Sequence, residues 1–127
     1  MHTTTRIHDP NRARAYFEDK LAFTTGPVEL DRWIKANENN LVVVDVREAE
    51  DYEKGHIPGA TNIDINSTQF TEKVSGLDKG KTYLVNCAVG MRSARACQKM
   101  AALGFTNLVD LAPGFEGWKK AGKPVTK

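Results

Sequence analysis

The chain has 127 residues, enough for one domain with its own hydrophobic core. Its 18 basic and 16 acidic residues are interspersed and leave a net charge of +2, which argues against nucleic acid and membrane surfaces as partners. The longest apolar run, residues 41–44, is too short to span a membrane, and residues 1–10 have no apolar signal core, so we expect a cytoplasmic protein.

Helices and strands are predicted to alternate along the chain. Ala13, Phe17 and Leu21 recur every four residues and predict an amphipathic helix over residues 10–21. The segments that follow are predicted as strand 23–25, helix 27–36, strand 41–46, helix 48–54, strand 61–65, helix 67–74, strand 82–86, helix 93–103, strand 107–111 and helix 115–121. This order predicts an α/β fold with a mostly parallel central sheet of about five strands and helices on both faces.

Residues 83–93 carry the clearest chemical signal. Cys87 follows a buried strand, and Gly90, Arg92 and Ser93 lead into the next helix. In an open α/β sheet, ligands bind beyond the carboxyl ends of the strands. A tight loop there can turn its backbone N–H groups inward, and the helix start adds positive charge, so we predict an anion cradle that favours the thiolate of Cys87. Gly90 is expected to take a positive φ, which glycine adopts without strain.

The alternative interpretation of Cys87 is that it only fills the core, since free cysteines are often buried. The neighbouring Gly90, Arg92 and Ser93 favour the reactive interpretation, because a core cysteine needs no arginine beside it. Cys97 lies in register with apolar helix positions and is interpreted as core rather than as a resolving thiol. His56 lies in a glycine- and proline-bounded turn, where local hydrogen bonds explain it better than a general-base role.

Four ordered motifs resemble the rhodanese family of sulfurtransferases. They are Asp45-Val46-Arg47-Glu48, Gly55-His56-Ile57-Pro58-Gly59-Ala60, Cys87-Ala88-Val89-Gly90-Met91-Arg92-Ser93, and Leu111-Ala112-Pro113-Gly114 with Trp118 after it. The likeness runs from about residue 27 to residue 125, so the expected organisation is a three-layer rhodanese-like domain over residues 25–127 with an N-terminal helical extension over residues 1–24. Pro113 departs from the family pattern, which usually has glycine there, at a turn outside the reactive loop.

The resemblance implies that Cys87 is the catalytic nucleophile. It would take sulfane sulfur from a small donor as a persulfide and pass it to a thiol, cyanide or protein acceptor, with no metal or other cofactor. The loop residues implied to bind substrate are Ala88, Val89, Gly90, Met91, Arg92 and Ser93. Asp45 and Arg47 would support the site by tying loops together. Arg92 would have a mixed role, binding donor anions and pinning the loop by pairing with a carboxylate such as Asp45.

Two other functions remain open at this point. Related cysteine-dependent phosphatases and arsenate reductases place five residues between the cysteine and the arginine, whereas only four lie between Cys87 and Arg92. The smaller loop suits a single sulfur better than a tetrahedral oxyanion. A non-catalytic recognition module is the other alternative, and the intact loop argues against it. The loop interior has no basic side chain, which predicts that thiosulfate is a weaker donor than a persulfide.

Overall fold

The computed structural model describes residues 24–36 and 41–127. The predicted helix over residues 10–21 and the N-terminal extension over residues 1–24 therefore lie outside the described residues, apart from Thr24. Among the helices of the described ranges, none combines the length and the apolar character that crossing a membrane requires.

Five strands form one sheet. They are β1 (Thr24–Thr25), β2 (Leu41–Asp45), β3 (Thr61–Asn62), β4 (Thr82–Asn86) and β5 (Leu108–Leu111). The helices are α1 (Pro27–Lys35), α2 (Ala49–Lys54), α3 (Phe70–Ser75), α4 (Met91–Ala102) and α5 (Gly114–Lys120). The strand order is β1-β5-β4-β2-β3, and all four neighbouring pairs are parallel. The carboxyl ends of all five strands consequently meet at one edge of the sheet.

Apolar side chains cover both faces of this sheet, which explains why its central strands are apolar without a polar alternation. On one face, Val44 and Val85 pack in a cluster with residues of α3 and α4. On the other face, Val43 and Leu84 pack in a cluster with residues of α1 and α5. The predicted α/β architecture, with five strands and helices on both faces, is confirmed.

The third strand is shorter than predicted. The sequence predicts a strand over residues 61–65, but the strand that pairs with β2 is Thr61–Asn62 alone. The side-chain amide of Asn62 donates to the carbonyl oxygens of Asp45 and Arg47, at 3.0 and 2.9 Å. Backbone bonds continue past the strand, since the N–H groups of Ile63 and Ile65 donate to the carbonyl oxygens of Asp45 and Val46 at 2.9 and 3.1 Å, and the Asn62 side chain adds to them. The two Asn62 bonds also hold the segment that follows β2 against the carboxyl edge of the sheet.

Candidate active site

Cys87 lies at the carboxyl end of β4, the central strand, and its side chain is only 1% exposed. The loop after it is shorter than predicted, because α4 begins at Met91 instead of residue 93. Gly90 precedes the helix with φ of 101°, so its predicted positive φ is confirmed. A Cβ atom at this position would lie 2.2 Å from the carbonyl oxygen of Ala112. Glycine is therefore required twice over, by the backbone conformation and by the close approach of the segment after β5.

Backbone hydrogen bonds fix the conformation of the loop over residues 87–90 around the sulfur of Cys87. The N–H of Gly90 donates to Cys87 Sγ at 2.9 Å. The carbonyl oxygens of Cys87 and Ala88 accept the N–H groups of Phe115 and Glu116, at 2.8 and 3.0 Å, at the start of α5. In a trans peptide the N–H points opposite to the C=O, so the N–H groups of these two peptides point away from α5. The Gly90 N–H is thus a backbone donor fixed at the sulfur, while the carbonyl oxygens of Cys87 and Ala88 tie the loop to α5.

The cysteine opens onto a cavity of about 710 Å³. Beside Cys87 its lining comprises Thr24, Val89, Gly90, Met91, Arg92, Ala94, Arg95, Gln98, Asp110 and Ala112. Val89 and Met91 stand at its rim, with 62% and 78% of their surface exposed. Most of the lining is apolar, and its charged groups are two arginines one turn apart on α4 and one aspartate at the end of β5.

The loop residues predicted to bind substrate do not all face this cavity. Val89, Gly90, Met91 and Arg92 do, but Ala88 lines a second, smaller cavity of about 300 Å³ on the other side of the loop. Ser93 is fully buried in the first turn of α4, beneath the loop. Its hydroxyl bonds to protein groups, so Ser93 lies behind the cysteine and not at the cavity wall.

Ser93 links the cysteine to Asp110. The distance from Cys87 Sγ to Ser93 Oγ is 3.6 Å, and Ser93 Oγ lies 2.5 Å from Asp110 Oδ1 and 3.1 Å from Gly90 O. The Asp110 residue is 5% exposed, and burial raises the pKa of its carboxyl to about 6, although the hydrogen bond from Ser93 acts in the opposite direction. Sequence reasoning missed both Asp110 and Arg95 as residues of this site.

The raised pKa of Asp110 makes a prediction about stability. Its ordinary value is 3.8, so the folded protein holds this proton more tightly than the unfolded chain does. The associated stabilisation is complete below pH 3.8 and is lost as the pH rises through about 6. We therefore expect the free energy of unfolding in urea, taken as Asp110→Asn minus wild type, to rise by about 2 kcal/mol between about pH 4.5 and about pH 7.5. A difference that does not change with pH would contradict the buried, proton-retaining carboxyl.

Asp45 and Arg47 form a buried ion pair beside the loop. Arg47 Nη2 lies 2.7 Å from Asp45 Oδ2 and donates to the Gly55 carbonyl oxygen at 2.8 Å. The guanidinium carbon lies 4.3 Å from the centre of the Phe115 ring. Through these contacts the pair joins the segment after β2 to the turn after α2 and to α5. Across residues 24–36 and 41–127 no ion pair joins Arg92 to Asp45, whose partner is Arg47, so Asp45 is not the carboxylate with which Arg92 pairs.

The other candidates from the sequence lie away from the cavity. Cys97 is fully buried in α4, and burial raises the pKa of its thiol well above the ordinary value. His56 Nδ1 bonds to the carbonyl oxygen of Tyr52 at 2.8 Å, and the two rings stack 3.7 Å apart. The backbone of His56 pairs with Thr126. Neither residue lines the cavity at Cys87.

Comparison with known proteins agrees with this architecture. Residues 27–121 match the model of the rhodanese-like domain. The chain belongs to the rhodanese family. The thiosulfate sulfurtransferase GlpE of Coxiella burnetii is 34% identical over 91 residues, covering 71% of this chain and 82% of that relative. A rhodanese-related protein of Thermoplasma volcanium, known from its crystal structure, has a TM-score of 0.71 and 36% identity, covering 81% of this chain and 96% of its own.

A further relative is longer than this rhodanese-family chain. YrkF of Bacillus subtilis, named as a candidate sulfur carrier protein, is 32% identical over 82 residues. The match covers 65% of this chain but only 43% of YrkF. The match therefore spans less than half of the length of YrkF.

Proposed function

We propose that this protein is a sulfurtransferase that carries sulfane sulfur as a persulfide on Cys87. The observation that carries the proposal is the buried Sγ, which receives a backbone N–H at 2.9 Å and opens onto a cavity. Donors fixed in this way stabilise a negatively charged sulfur without reorganising during the reaction. The names of the relatives support the same chemistry, since GlpE is named a thiosulfate sulfurtransferase.

The proposed reaction has two steps. The Cys87 thiolate attacks the outer sulfur of a donor, an S–S bond forms, and the bond between that sulfur and the rest of the donor breaks, so that the donor leaves with the electron pair. A thiol, cyanide or protein acceptor then attacks the terminal sulfur of the persulfide and restores the thiolate. Such covalent catalysis divides one difficult transfer into two easier ones.

Charges around the cavity favour an extended donor over a compact dianion. Arg92 is half-buried and Arg95 is exposed, so both cations lie toward solvent, whereas the carboxyl of Asp110 is buried near the cysteine. Thiosulfate would have to bring its charge close to Cys87 and Asp110. A donor such as glutathione persulfide can leave its carboxylates at the arginines while only its terminal sulfur reaches Cys87.

Steady-state transfer to cyanide tests the proposal, with thiocyanate as the product measured. We expect glutathione persulfide to give a kcat/KM at least about tenfold above that of thiosulfate, a difference of about 1.4 kcal/mol. Arg95→Gln should lower kcat/KM for glutathione persulfide, while Arg32→Gln, which alters an exposed pair with Glu29 on α1, serves as the control. Saturation by micromolar thiosulfate with weaker use of the persulfide would contradict the donor assignment.

The same preparation should show no hydrolysis of aryl phosphates above that of Cys87→Ser. Phosphate hydrolysis without sulfur transfer would favour the phosphatase alternative. If neither reaction occurs with a folded protein, the proposed sulfurtransferase activity is wrong and the recognition-module alternative gains support.

A further inference from the structure

Asp110 is a buried carboxyl that the proposed reaction does not yet use. It lies next to the last residue of β5, lines the cavity at Cys87, and bonds to Ser93, which in turn lies within hydrogen-bonding distance of Cys87 Sγ. We propose that Asp110 accepts the Cys87 thiol proton through Ser93 as the sulfur attacks, so that Cys87 reacts without first losing its proton to solvent. This inference rests on the proposed function, since it explains how the nucleophile of that reaction is formed.

The hydrogen-bond geometry provides a continuous path for the proton. With Asp110 ionised, the Cys87 thiol donates to Ser93 Oγ at 3.6 Å, and the Ser93 hydroxyl donates to Asp110 Oδ1 at 2.5 Å. All three residues are at least nine-tenths buried. A hydroxyl can accept one proton while it gives up its own, so serine can relay a proton between two groups that do not touch.

The transfer balances without any further reactant. The S–H bond of Cys87 breaks, its electron pair stays on sulfur, and the proton binds to Ser93 Oγ. The original hydroxyl proton of Ser93 passes to Asp110 Oδ1. The products are a Cys87 thiolate and a neutral Asp110 carboxyl, which now donates to Ser93 Oγ, while the Ser93 hydroxyl is free to donate to the thiolate. The net charge of the three residues is unchanged.

Asp110 is suited to this role because burial has made it a stronger base than an ordinary carboxylate, with its pKa raised to about 6. The elements that surround the Asp110 carboxyl are β4, α4 and β1. The β4 end contributes Cys87, and α4 contributes the buried Cys97 together with Arg92 and Arg95 of the cavity lining. On the other side, β1 pairs with Asp110 through Thr24, which has no charge.

The ionised Asp110 carboxylate also disfavours the Cys87 thiolate, because two negative charges in one buried site repel each other. This effect opposes that of the proton relay. The two effects predict opposite outcomes for Asp110→Asn. If the proton relay dominates, the variant loses reactivity near neutral pH. If repulsion dominates, the variant gains reactivity. The rate of Cys87 modification as a function of pH decides between them.

The experiment is alkylation of the full chain by iodoacetamide from pH 5 to pH 9.5, with labelling of Cys87 followed by peptide mass spectrometry. In the wild type the rate should rise near pH 6. In Asp110→Asn and in Ser93→Ala it should rise only toward the range where free thiols ionise, about pH 8.5. We expect each variant to react about tenfold more slowly than the wild type at pH 7 and at the wild-type rate at pH 9.5.

Two further variants sharpen the test. The double variant Ser93→Ala/Asp110→Asn should match either single variant, because both substitutions interrupt the same path. Asp64→Asn removes an exposed carboxylate that accepts the Asn66 N–H, and it should reproduce the wild-type profile.

The proposal is overturned if Asp110→Asn reacts as fast as the wild type at pH 7 or faster. It is equally overturned if the rate falls by the same factor at every pH, since that pattern indicates a purely structural role. Alkylation does not require sulfur transfer. The expected alkylation profile in a protein that forms no persulfide would therefore support the proton path and contradict the proposed function separately.

Discussion

Replacing Cys87 with serine should abolish persulfide formation. Incubation of the wild type with glutathione persulfide should add one sulfur, about 32 Da, to the intact protein, because the thiolate captures the outer sulfur covalently. Treatment with dithiothreitol or cyanide should remove it. Cys87→Ser replaces the sulfur nucleophile by a hydroxyl of nearly the same size, and we expect transfer to thiocyanate to fall by at least about a thousandfold.

Cys97→Ala is the matched control for this experiment. Cys97 is fully buried, and burial raises the pKa of its thiol, so it should neither ionise nor meet a donor. The variant should keep the sulfur adduct and most of the transfer rate, while losing some stability from the methyl-sized cavity it leaves. An adduct that persists in Cys87→Ser, or that maps to Cys97, would show that the wrong cysteine has been assigned.

The central strands and the reactive loop could be predicted because local sequence determines them. Strand β4 has an apolar centre over residues 83–85 and ends one residue before Cys87, and Gly90 takes the positive φ expected of it. The helix after the loop begins at Met91, two residues before Ser93, where the sequence predicts its start. In the structure the Ser93 hydroxyl bonds to Asp110 and lies near Gly90 O.

The part of the site that could not be predicted depends on strand order. Asp110 meets Ser93 only because β5 lies directly beside β4, and the sequence does not specify that adjacency. A weaker signal was present, since Asp110 interrupts an apolar strand near its carboxyl end as Asp45 does in β2. Buried carboxylates at the carboxyl edge of a parallel sheet are therefore worth treating together as candidates for one site.

Substituting Gly90 by alanine should remove activity while leaving the nucleophile in place. The backbone φ of 101° strains any residue with a side chain, and the new Cβ would lie 2.2 Å from Ala112 O. Because that oxygen belongs to the backbone after β5, the loop itself must move. A displacement of about 1 Å in a reacting group costs about a hundredfold in rate, so we expect at least that loss in persulfide formation.

Gly59→Ala separates this effect from the strain of a positive φ alone. Gly59 has a φ of 83°, but no atom outside its chain neighbours lies within 4 Å of the position that a Cβ would take. Both variants should lose about 1–2 kcal/mol in urea unfolding from the unfavourable backbone conformation. Only Gly90→Ala should lose sulfur transfer. Its new methyl group clashes with Ala112 O and displaces the loop whose residue-90 N–H donates to Cys87 Sγ, whereas the methyl group of Gly59→Ala meets no neighbour. If a folded Gly90→Ala protein transferred sulfur at the rate of Gly59→Ala, the backbone cradle would not be what makes Cys87 reactive.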